Sequence, residues 1–408
     1  MNKGTGSHST GQQRDDTGLL PPLTLYLHVP FCRRKCPYCD FHSRGTAVVP
    51  EARYLAAVRQ ELQWRRRQWA ADVRPLSAIY VGGGTPSLLT SATIAGLLEA
   101  IVALWPVTTD CEITLEANPE SASLAKMRDW RQMGIRRLSL GVQALDGVRL
   151  QFLERPHDLE AARCAIRHAL QVDFATVNLD LIYATPGQTP AAWERELAEA
   201  MAWQPHHFSC YQLTVEPGTP FAGRSHAAGW QLPDEETAVV LFRQTREQLA
   251  RGGWQAYETS SFARPGCLCR HNTNYWSFGD YLGIGCAAHG KWTDGAGRIW
   301  RSRNPEGVTA YMTALEHGAA TGPAPAWLSW QPVTPVEAGR EVLLMGLRHA
   351  AGVDRRLYQR LTGMDLVQQH AVRFGQWQEA GWLRVAPQRV CLTDQGMLLL
   401  DTLLLALW

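Results

Sequence analysis

The first half of the chain alternates short apolar runs with longer segments in which apolar residues recur every three or four positions. The short runs have the length and β-branched content of buried strands, and the longer segments have the period of helices packed on one face. Six such units in a row predict a parallel sheet with covering helices, either doubly wound or closed into an incomplete barrel. The predicted strands are residues 23–29, 78–81, 112–117, 137–141, 177–182 and 208–213, and the predicted helices are residues 51–70, 92–104, 123–133, 159–172, 190–203 and 234–251.

Polar residues and glycines gather at the carboxyl ends of these strands. Three cysteines follow the first strand, a glycine run at 82–84 follows the second, and Glu116 ends the third. The later strands bring Gln143, Asp180 and Thr214 to the same end. Ligand and catalytic residues of (β/α) barrels collect on this rim, so the distribution favours an incomplete (β/α)6 barrel.

The alternation stops after Glu216, where a segment rich in glycine, proline and aromatic residues begins. A hairpin is predicted at 290–303, because Asp294 and Gly295 form a strong turn signal between two strand-like runs. After a proline-containing linker at 321–332, regularly spaced leucines indicate a small helical or winged-helix-like module. The predicted parts are a disordered leader, the barrel, an α+β extension and the C-terminal module, at residues 1–22, 23–216, 217–320 and 333–408.

Composition limits the classes of function. With 40 Lys plus Arg against 38 Asp plus Glu, the chain has no basic excess to suggest a nucleic-acid partner. The polar leader lacks the apolar stretch of a secretory signal, which predicts a cytoplasmic protein. The apolar tail at 397–408 is shorter than the roughly 20 residues that span a bilayer. Its leucines are better explained by core packing than by peripheral contact with a membrane.

Cys32, Cys36 and Cys39 have C-x3-C-x2-C spacing on the loop after the first strand. In a reducing compartment, cysteines this close together bind metal or perform redox chemistry more often than they form disulfides. Three thiolates on a four-iron cluster leave one iron open, and an open iron can bind the amine and carboxylate of S-adenosylmethionine. The alternative is a zinc knuckle with His28 or His42 as the fourth ligand.

Several further motifs occur in order along nearly the whole chain. They are the segments 25–32, Gly-Gly-Gly-Thr-Pro at 82–86, Glu-Ala-Asn-Pro at 116–119, Gly-Val-Gln at 141–143, Asp-Leu-Ile-Tyr at 180–183 and His-Asn-Thr-Asn-Tyr-Trp at 271–276. With these motifs the sequence resembles the radical S-adenosylmethionine proteins related to oxygen-independent coproporphyrinogen III oxidase. The 271–276 segment and the Gly-Asp-Tyr-Leu-Gly-Ile-Gly at 279–285 are similar to the HemW-type haem-chaperone branch.

The resemblance implies a [4Fe-4S] cluster on the three cysteines and S-adenosylmethionine beside it. Glu116 would accept from the ammonium of S-adenosylmethionine, Arg155 would bind its carboxylate, and Asp180 would hold the ribose hydroxyls. Taken singly, a glycine run is also typical of a tight turn, a carboxylate of a salt bridge or helix cap, and Tyr26 of a core aromatic. The implied cofactor-binding residues are Tyr26, Tyr38, Gly84, Thr85, Glu116, Gln143, Arg155, Asp180 and Thr214.

Two departures favour the chaperone branch over the oxidases. The oxidases usually carry a further cysteine where this chain has Phe41, and they have a longer N-terminal extension than the 22 residues found here. The branch implies haem binding and delivery to an unidentified acceptor protein, for which a membrane-bound respiratory enzyme is one candidate. His271 is the candidate haem ligand, and a packed loop in which it bonds the backbone is the alternative. Oxidative decarboxylation of coproporphyrinogen III remains the second hypothesis for function.

Overall fold

A computed structural model describes residues 20–224, 230–317 and 328–408 of the chain. Nearly all of the predicted leader and most of the predicted linker therefore lie outside the described residues.

Six parallel strands form the centre of the fold, in the order of the sequence. Each pairs in register with the next, so their carboxyl ends lie along one edge. All six predicted strands are present, and the largest difference is the third, which starts five residues earlier than predicted. They are β1 Leu23–Val29, β2 Leu76–Gly83, β3 Val107–Ala117, β4 Arg137–Gln143, β5 Thr176–Tyr183 and β6 His207–Gln212.

Helices connect these strands and bury their apolar faces against the sheet. Most begin directly after a Ser, Thr or Asp whose side-chain oxygen accepts a backbone N–H of the first turn, which is a strong start signal. The predicted helix bounds are confirmed to within two residues. The helices are α1 Glu51–Gln68, α2 Ser91–Val102, α3 Leu124–Gln132, α4 Gly147–Phe152, α5 Leu159–Gln171, α6 Pro190–Ala202, α7 Pro220–Arg224 and α8 Glu235–Arg251.

The extension continues the same sheet on both sides. Two short strands follow β6 in antiparallel pairing, and on the other side a strand pairs parallel with β1 and leads into the predicted hairpin. The predicted linker is partly wrong, because residues 329–332 add an edge strand to this hairpin. The elements are β7 Gln255–Ala256, β8 Ser261–Ala263, α9 Arg270–Trp276, β9 Asp280–Ile284, β10 His289–Thr293, β11 Ile299–Arg303, α10 Val308–His317 and β12 Ser329–Pro332.

The C-terminal module has its own apolar core and a three-stranded antiparallel sheet. Leu400, Leu403, Leu404 and Leu407 are buried in this core, which confirms core packing for the leucine-rich tail. No helix in the described ranges is long and apolar enough to cross a membrane. The elements are α11 Pro335–Gly346, β13 Val353–Asp354, α12 Arg355–Thr362, α13 Leu366–Gln369, α14 Ala371–Glu379, β14 Leu383–Val385, β15 Arg389–Leu392, α15 Asp394–Leu398 and α16 Leu400–Ala406.

Candidate functional site

A cavity of about 360 Å³ opens at the carboxyl ends of the central strands. Its volume falls in the range of about 300–1,000 Å³ typical of small-molecule sites. Residues from β2 to β6 and from the cysteine loop that follows β1 contribute to its wall. Of the residues predicted from the sequence, the cavity is lined by Cys32, Cys36, Tyr38, Cys39, Gly84, Thr85, Glu116, Gln143, Arg155, Asp180 and Thr214.

The cysteine loop packs directly on the glycine run. The backbone N–H of Gly84 donates to the carbonyl of Val29, and that of Thr85 donates to the carbonyl of Phe31. A Cβ on Gly84 would lie 2.6 Å from the Phe31 carbonyl oxygen, so only glycine allows this approach. The hydroxyl of Thr85 also lies 3.6 Å from the sulfur of Cys32. The glycine run therefore fixes the position of the loop that carries the thiols.

The three thiols fit a cluster ligated by cysteine. Cys32 and Cys36 are buried, Cys39 is half-buried, and all three line the same cavity. The zinc alternative fits less well, because both ring nitrogens of His28 are already bonded, one to the hydroxyl of Tyr26 and one to the carbonyl of His42. Among the described side chains, no three His, Cys, Asp or Glu residues are grouped to hold a single metal ion.

Arg155 connects the cysteine loop to the barrel rim. Its Nη1 donates to the sulfur of Cys36 at 3.4 Å, and its Nη2 donates to the side chain of Asn118 at 2.7 Å. Its Nε is buried and has no hydrogen-bond partner among the described residues. A buried guanidinium with a spare donor beside the thiols suits an anionic group such as the carboxylate of S-adenosylmethionine.

Two carboxylates give the upper cavity an acidic character. The pKa of Glu116 is raised to about 7, mainly by burial and then by the nearby Asp180. The hydrogen bonds from Tyr80 and the Gly83 backbone act in the opposite direction. Burial also raises the pKa of Asp180 to about 6, although Asn178 donates to its carboxylate. The charged form of a buried carboxylate is costly, and it becomes more stable when a cation binds beside it. The ammonium and sulfonium of S-adenosylmethionine are cations of the required size.

Four other lining residues differ in how they are held. Gln143 ends β4 with φ of 68°, a left-handed conformation that costs energy for a residue other than glycine and is often retained at functional sites. Thr214 is exposed at the cavity mouth, where its hydroxyl donates to a backbone carbonyl. Tyr38 contributes its hydroxyl, which lies 3.3 Å from Arg155. Phe41 lines the mouth with 57% of its side chain exposed.

Tyr26 and His271 lie outside the cavity wall. The hydroxyl of Tyr26 bonds His28, and its ring stacks on that of His271 with centroids 6.0 Å apart. The Nδ1 of His271 lies 3.1 Å from the hydroxyl of Thr24, and burial lowers the pKa of His271 to about 4. His271 is buried and Tyr26 is half-buried, and the bond of His271 is to a side chain rather than to the backbone. The contacts of Tyr26 with S-adenosylmethionine and of His271 with haem therefore stay predictions, and Tyr80, which pairs with Tyr26 across the sheet, supplies the hydroxyl that bonds Glu116.

The structure adds residues that were not singled out from the sequence. Tyr80 positions Glu116, Asn118 holds Arg155, and Ser139 and Asn178 both donate to Asp180. A stricter reading of strand alternation would have found two of them. Asn178 lies two residues before Asp180 and Ser139 two before Gly141, so each pair shares one face of its strand, and Asn118 directly follows the end of β3 two residues after Glu116.

Comparison with known proteins agrees with this geometry. Residues 26–200 match the model of the radical SAM superfamily, and residues 333–399 match the HemN C-terminal domain. The chain is 41% identical to "Heme chaperone HemW" of Escherichia coli over 71% of this chain and 76% of that protein. It is 33% identical to the bovine "Radical S-adenosyl methionine domain-containing protein 1, mitochondrial" over 99% of this chain and 89% of that one.

Among solved structures, the Escherichia coli coproporphyrinogen III oxidase HemN, described as a radical SAM enzyme, superposes with a TM-score of 0.79. The match covers 95% of this chain and 90% of HemN at 23% identity, which establishes a shared fold. The superfamily implies a [4Fe-4S] cluster and S-adenosylmethionine, in agreement with the thiols, buried arginine and paired carboxylates of the cavity. The chain belongs to the HemW family of radical S-adenosylmethionine proteins.

Proposed function

We propose that this protein is a haem chaperone that binds haem and transfers it to an acceptor protein. The observation that carries the proposal is the 41% identity to a protein named as a heme chaperone, over 76% of that protein's length. Phe41 gives it further support, because the resembling oxidases usually have a cysteine at that position. The acceptor is proposed only as a protein that takes up haem.

We further propose that Cys32, Cys36 and Cys39 ligate a [4Fe-4S] cluster. When bound, such a cluster would offer one iron without a protein ligand to the amine and carboxylate of S-adenosylmethionine. The side chain of Arg155 would hold the loop through Cys36 and neutralise negative charge beside it. Burial of Cys32 and Cys36 would restrict the access of water and oxygen to the cluster.

The carboxylates of Glu116 and Asp180 would orient the rest of S-adenosylmethionine. Glu116 is held by Tyr80 and by the backbone of Gly83, so one carboxylate face stays directed into the cavity. Asp180 is held by Ser139 and Asn178 in the same way. Because these partners fix both carboxylates before binding, the cofactor would lose little of its binding energy to ordering the site.

The second candidate function is oxidative decarboxylation of coproporphyrinogen III. Its support is the fold shared with HemN over 95% of the chain. A shared fold can serve different functions, so the distinction depends on what the protein binds and converts.

Anaerobic reconstitution of the protein with iron, sulfide and S-adenosylmethionine, followed by parallel assays, tests both functions. A haem chaperone will bind haem stoichiometrically, release it to a haem-free acceptor, and leave coproporphyrinogen III unconverted. Cys36→Ser should lose the cluster, whereas Cys391→Ser in the C-terminal module is the matched control. Sustained formation of protoporphyrinogen IX with cleavage of S-adenosylmethionine would contradict the chaperone proposal and establish the oxidase.

A further inference from the structure

The cavity continues below the proposed S-adenosylmethionine residues toward the amino ends of the strands. Thr114 on β3 and Arg137 on β4 line this lower part. They are direct partners in the parallel pairing, and the next pair toward the rim on the same face of the sheet is Glu116 with Ser139. At about 3.3 Å per residue along a strand, the lower pair lies about 7 Å below Glu116.

Three buried side-chain atoms at this depth make no hydrogen bond to any described residue, namely the hydroxyl of Thr114 and the Nε and Nη1 of Arg137, and of these only the Nε has an ion-pair contact, with Glu112. The hydroxyl of Thr114 and the Nη1 of Arg137 therefore have no partner among the described residues. Their residues are only 1% and 2% exposed. Unpaired buried polar groups each cost about 1–3 kcal/mol, so two on adjacent strands in one cavity call for an explanation.

The rest of the Arg137 side chain is firmly anchored. Its Nη2 donates to the carbonyls of Cys267 and Leu268 at 2.8 Å, and its Nε lies 3.0 Å from a carboxylate oxygen of Glu112. These contacts fix the plane of the guanidinium and leave the Nη1 edge free. Apart from Glu112, the ionisable groups that face Arg137 are uncharged, because burial keeps the pKa of His207 well below its ordinary value and those of Cys269 and Tyr257 well above theirs.

We propose that Arg137 and Thr114 form a second ligand subsite, which takes the carboxylate group of a small molecule other than S-adenosylmethionine. A guanidinium and a hydroxyl are the donors that suit a carboxylate. The contact of Arg137 with Glu112 does not prevent the guanidinium from binding a second carboxylate, because other arginines in this chain each contact two carboxylates. Arg74 contacts Asp72 and Asp280, and Arg163 contacts Glu160 and Glu199.

With this subsite, the upper part and the floor of the cavity present opposite charges. The upper part presents Glu116 and Asp180 to a cation, and the floor presents Arg137 to an anion. The inference rests on the proposed function only in assigning the upper part to S-adenosylmethionine. The protein would therefore hold two small molecules at once, one above the other along the barrel axis.

Acetate binding to the reconstituted protein tests the subsite, measured by ligand-observed NMR and by thermal unfolding against chloride at equal ionic strength. We expect saturable acetate binding that persists when S-adenosylmethionine is added. Thr114→Val should weaken acetate binding about tenfold, because one hydrogen bond to a charged group is lost. It should not lower the stability of the acetate-free protein, since it removes an unpaired buried hydroxyl. Thr114→Ser should retain binding.

The matched control is Thr185→Val, which removes another buried hydroxyl without a partner among the described residues, outside this cavity. It should leave acetate binding unchanged. Competition between acetate and S-adenosylmethionine would overturn the proposal, because the floor would then bind the cofactor's own carboxylate. A Thr114→Val protein that is less stable but binds acetate normally would also overturn it. Because the effect of Thr114→Val on acetate binding is measured without S-adenosylmethionine, that result is independent of the proposed cofactor site.

Discussion

Replacing Glu116 with glutamine should stabilise the cofactor-free protein at alkaline pH and weaken its binding of S-adenosylmethionine. Burial first, and then Asp180, raise the pKa of Glu116 from 4.5 to about 7. Ionising this carboxyl is therefore harder in the folded protein than in the unfolded chain. The free-energy penalty for ionising Glu116 in the folded protein is absent below the pKa of the unfolded chain. It grows as the pH rises from the unfolded to the folded pKa and reaches its full size above pH 7.

The size of the effect follows from the two pKa values. Linkage gives a penalty of about 1 kcal/mol at pH 5 and about 3 kcal/mol at pH 8. Glutamine is uncharged at both pH values, and it can still accept from the backbone of Gly83 while its amide donates to Tyr80. The gain in stability from Glu116→Gln should thus be larger at pH 8 by about 2 kcal/mol, which corresponds to an increase of a few degrees in unfolding temperature.

Calorimetric unfolding of the cofactor-free protein at pH 5 and pH 8, at one scan rate, measures this difference. Glu120→Gln is the matched control, because Glu120 lines the same cavity but has a lowered pKa: burial, the largest effect, is outweighed jointly by hydrogen bonds with His157 and the Glu120 backbone and by the charge of Arg155. The control should lose stability at pH 8. Titration with S-adenosylmethionine should show at least tenfold weaker binding to Glu116→Gln. An equal stability change at both pH values would refute the reasoning, because the ionisation of Glu116 would then carry no penalty.

Three other substitutions test separate parts of the site. Cys36→Ser should abolish the iron-sulfur absorption of the reconstituted protein while Cys391→Ser keeps it, and iron and sulfide analysis will show whether a cluster survives without Cys36. Gly84→Ala should destabilise the protein by about 1–3 kcal/mol and reduce cluster content, because its Cβ would meet the Phe31 carbonyl at 2.6 Å; urea unfolding and iron analysis report the two effects. His271→Gln should leave the haem absorption spectrum unchanged, since the imidazole is buried against Thr24. A shifted Soret band would instead identify His271 as a haem ligand.

The central strands and helices were predictable because their signals are local. Apolar runs, helical periodicity and capping residues such as Thr90 and Asp158 lie within the elements they define. The pairing of β9 with β1 was not predictable in this way, because it joins segments more than 250 residues apart. Residues 329–332 were misread as linker for the same reason, since only the neighbouring β11 makes them a strand.

The residues of the candidate site were likewise predictable where their signals are local and not where their contacts are distant in the sequence. The cavity collects the residues predicted at the strand ends, because parallel strands bring their carboxyl ends to one edge whatever their separation in the sequence. Tyr26 and His271 depended on contacts that the sequence does not encode locally. Their rings stack on each other and contact that of Tyr80 at a tilt, and His271 bonds Thr24 across 247 positions. Aromatic residues beside a motif are consistent with either ligand contact or core packing until these partners are known.

The ionisation of the cavity links its stability to its ligands. Glu116 and Asp180 are held by fixed donors, yet burial raises both pKa values, so the site is strained when the two carboxyls are charged. A bound cation removes that strain, and binding at neutral pH should therefore release protons and stabilise the fold together. On the floor, the unpaired donors of Thr114 and Arg137 carry a penalty that only an acceptor can remove. The same physical argument thus predicts opposite charges for the two ligands, a cation above and an anion below.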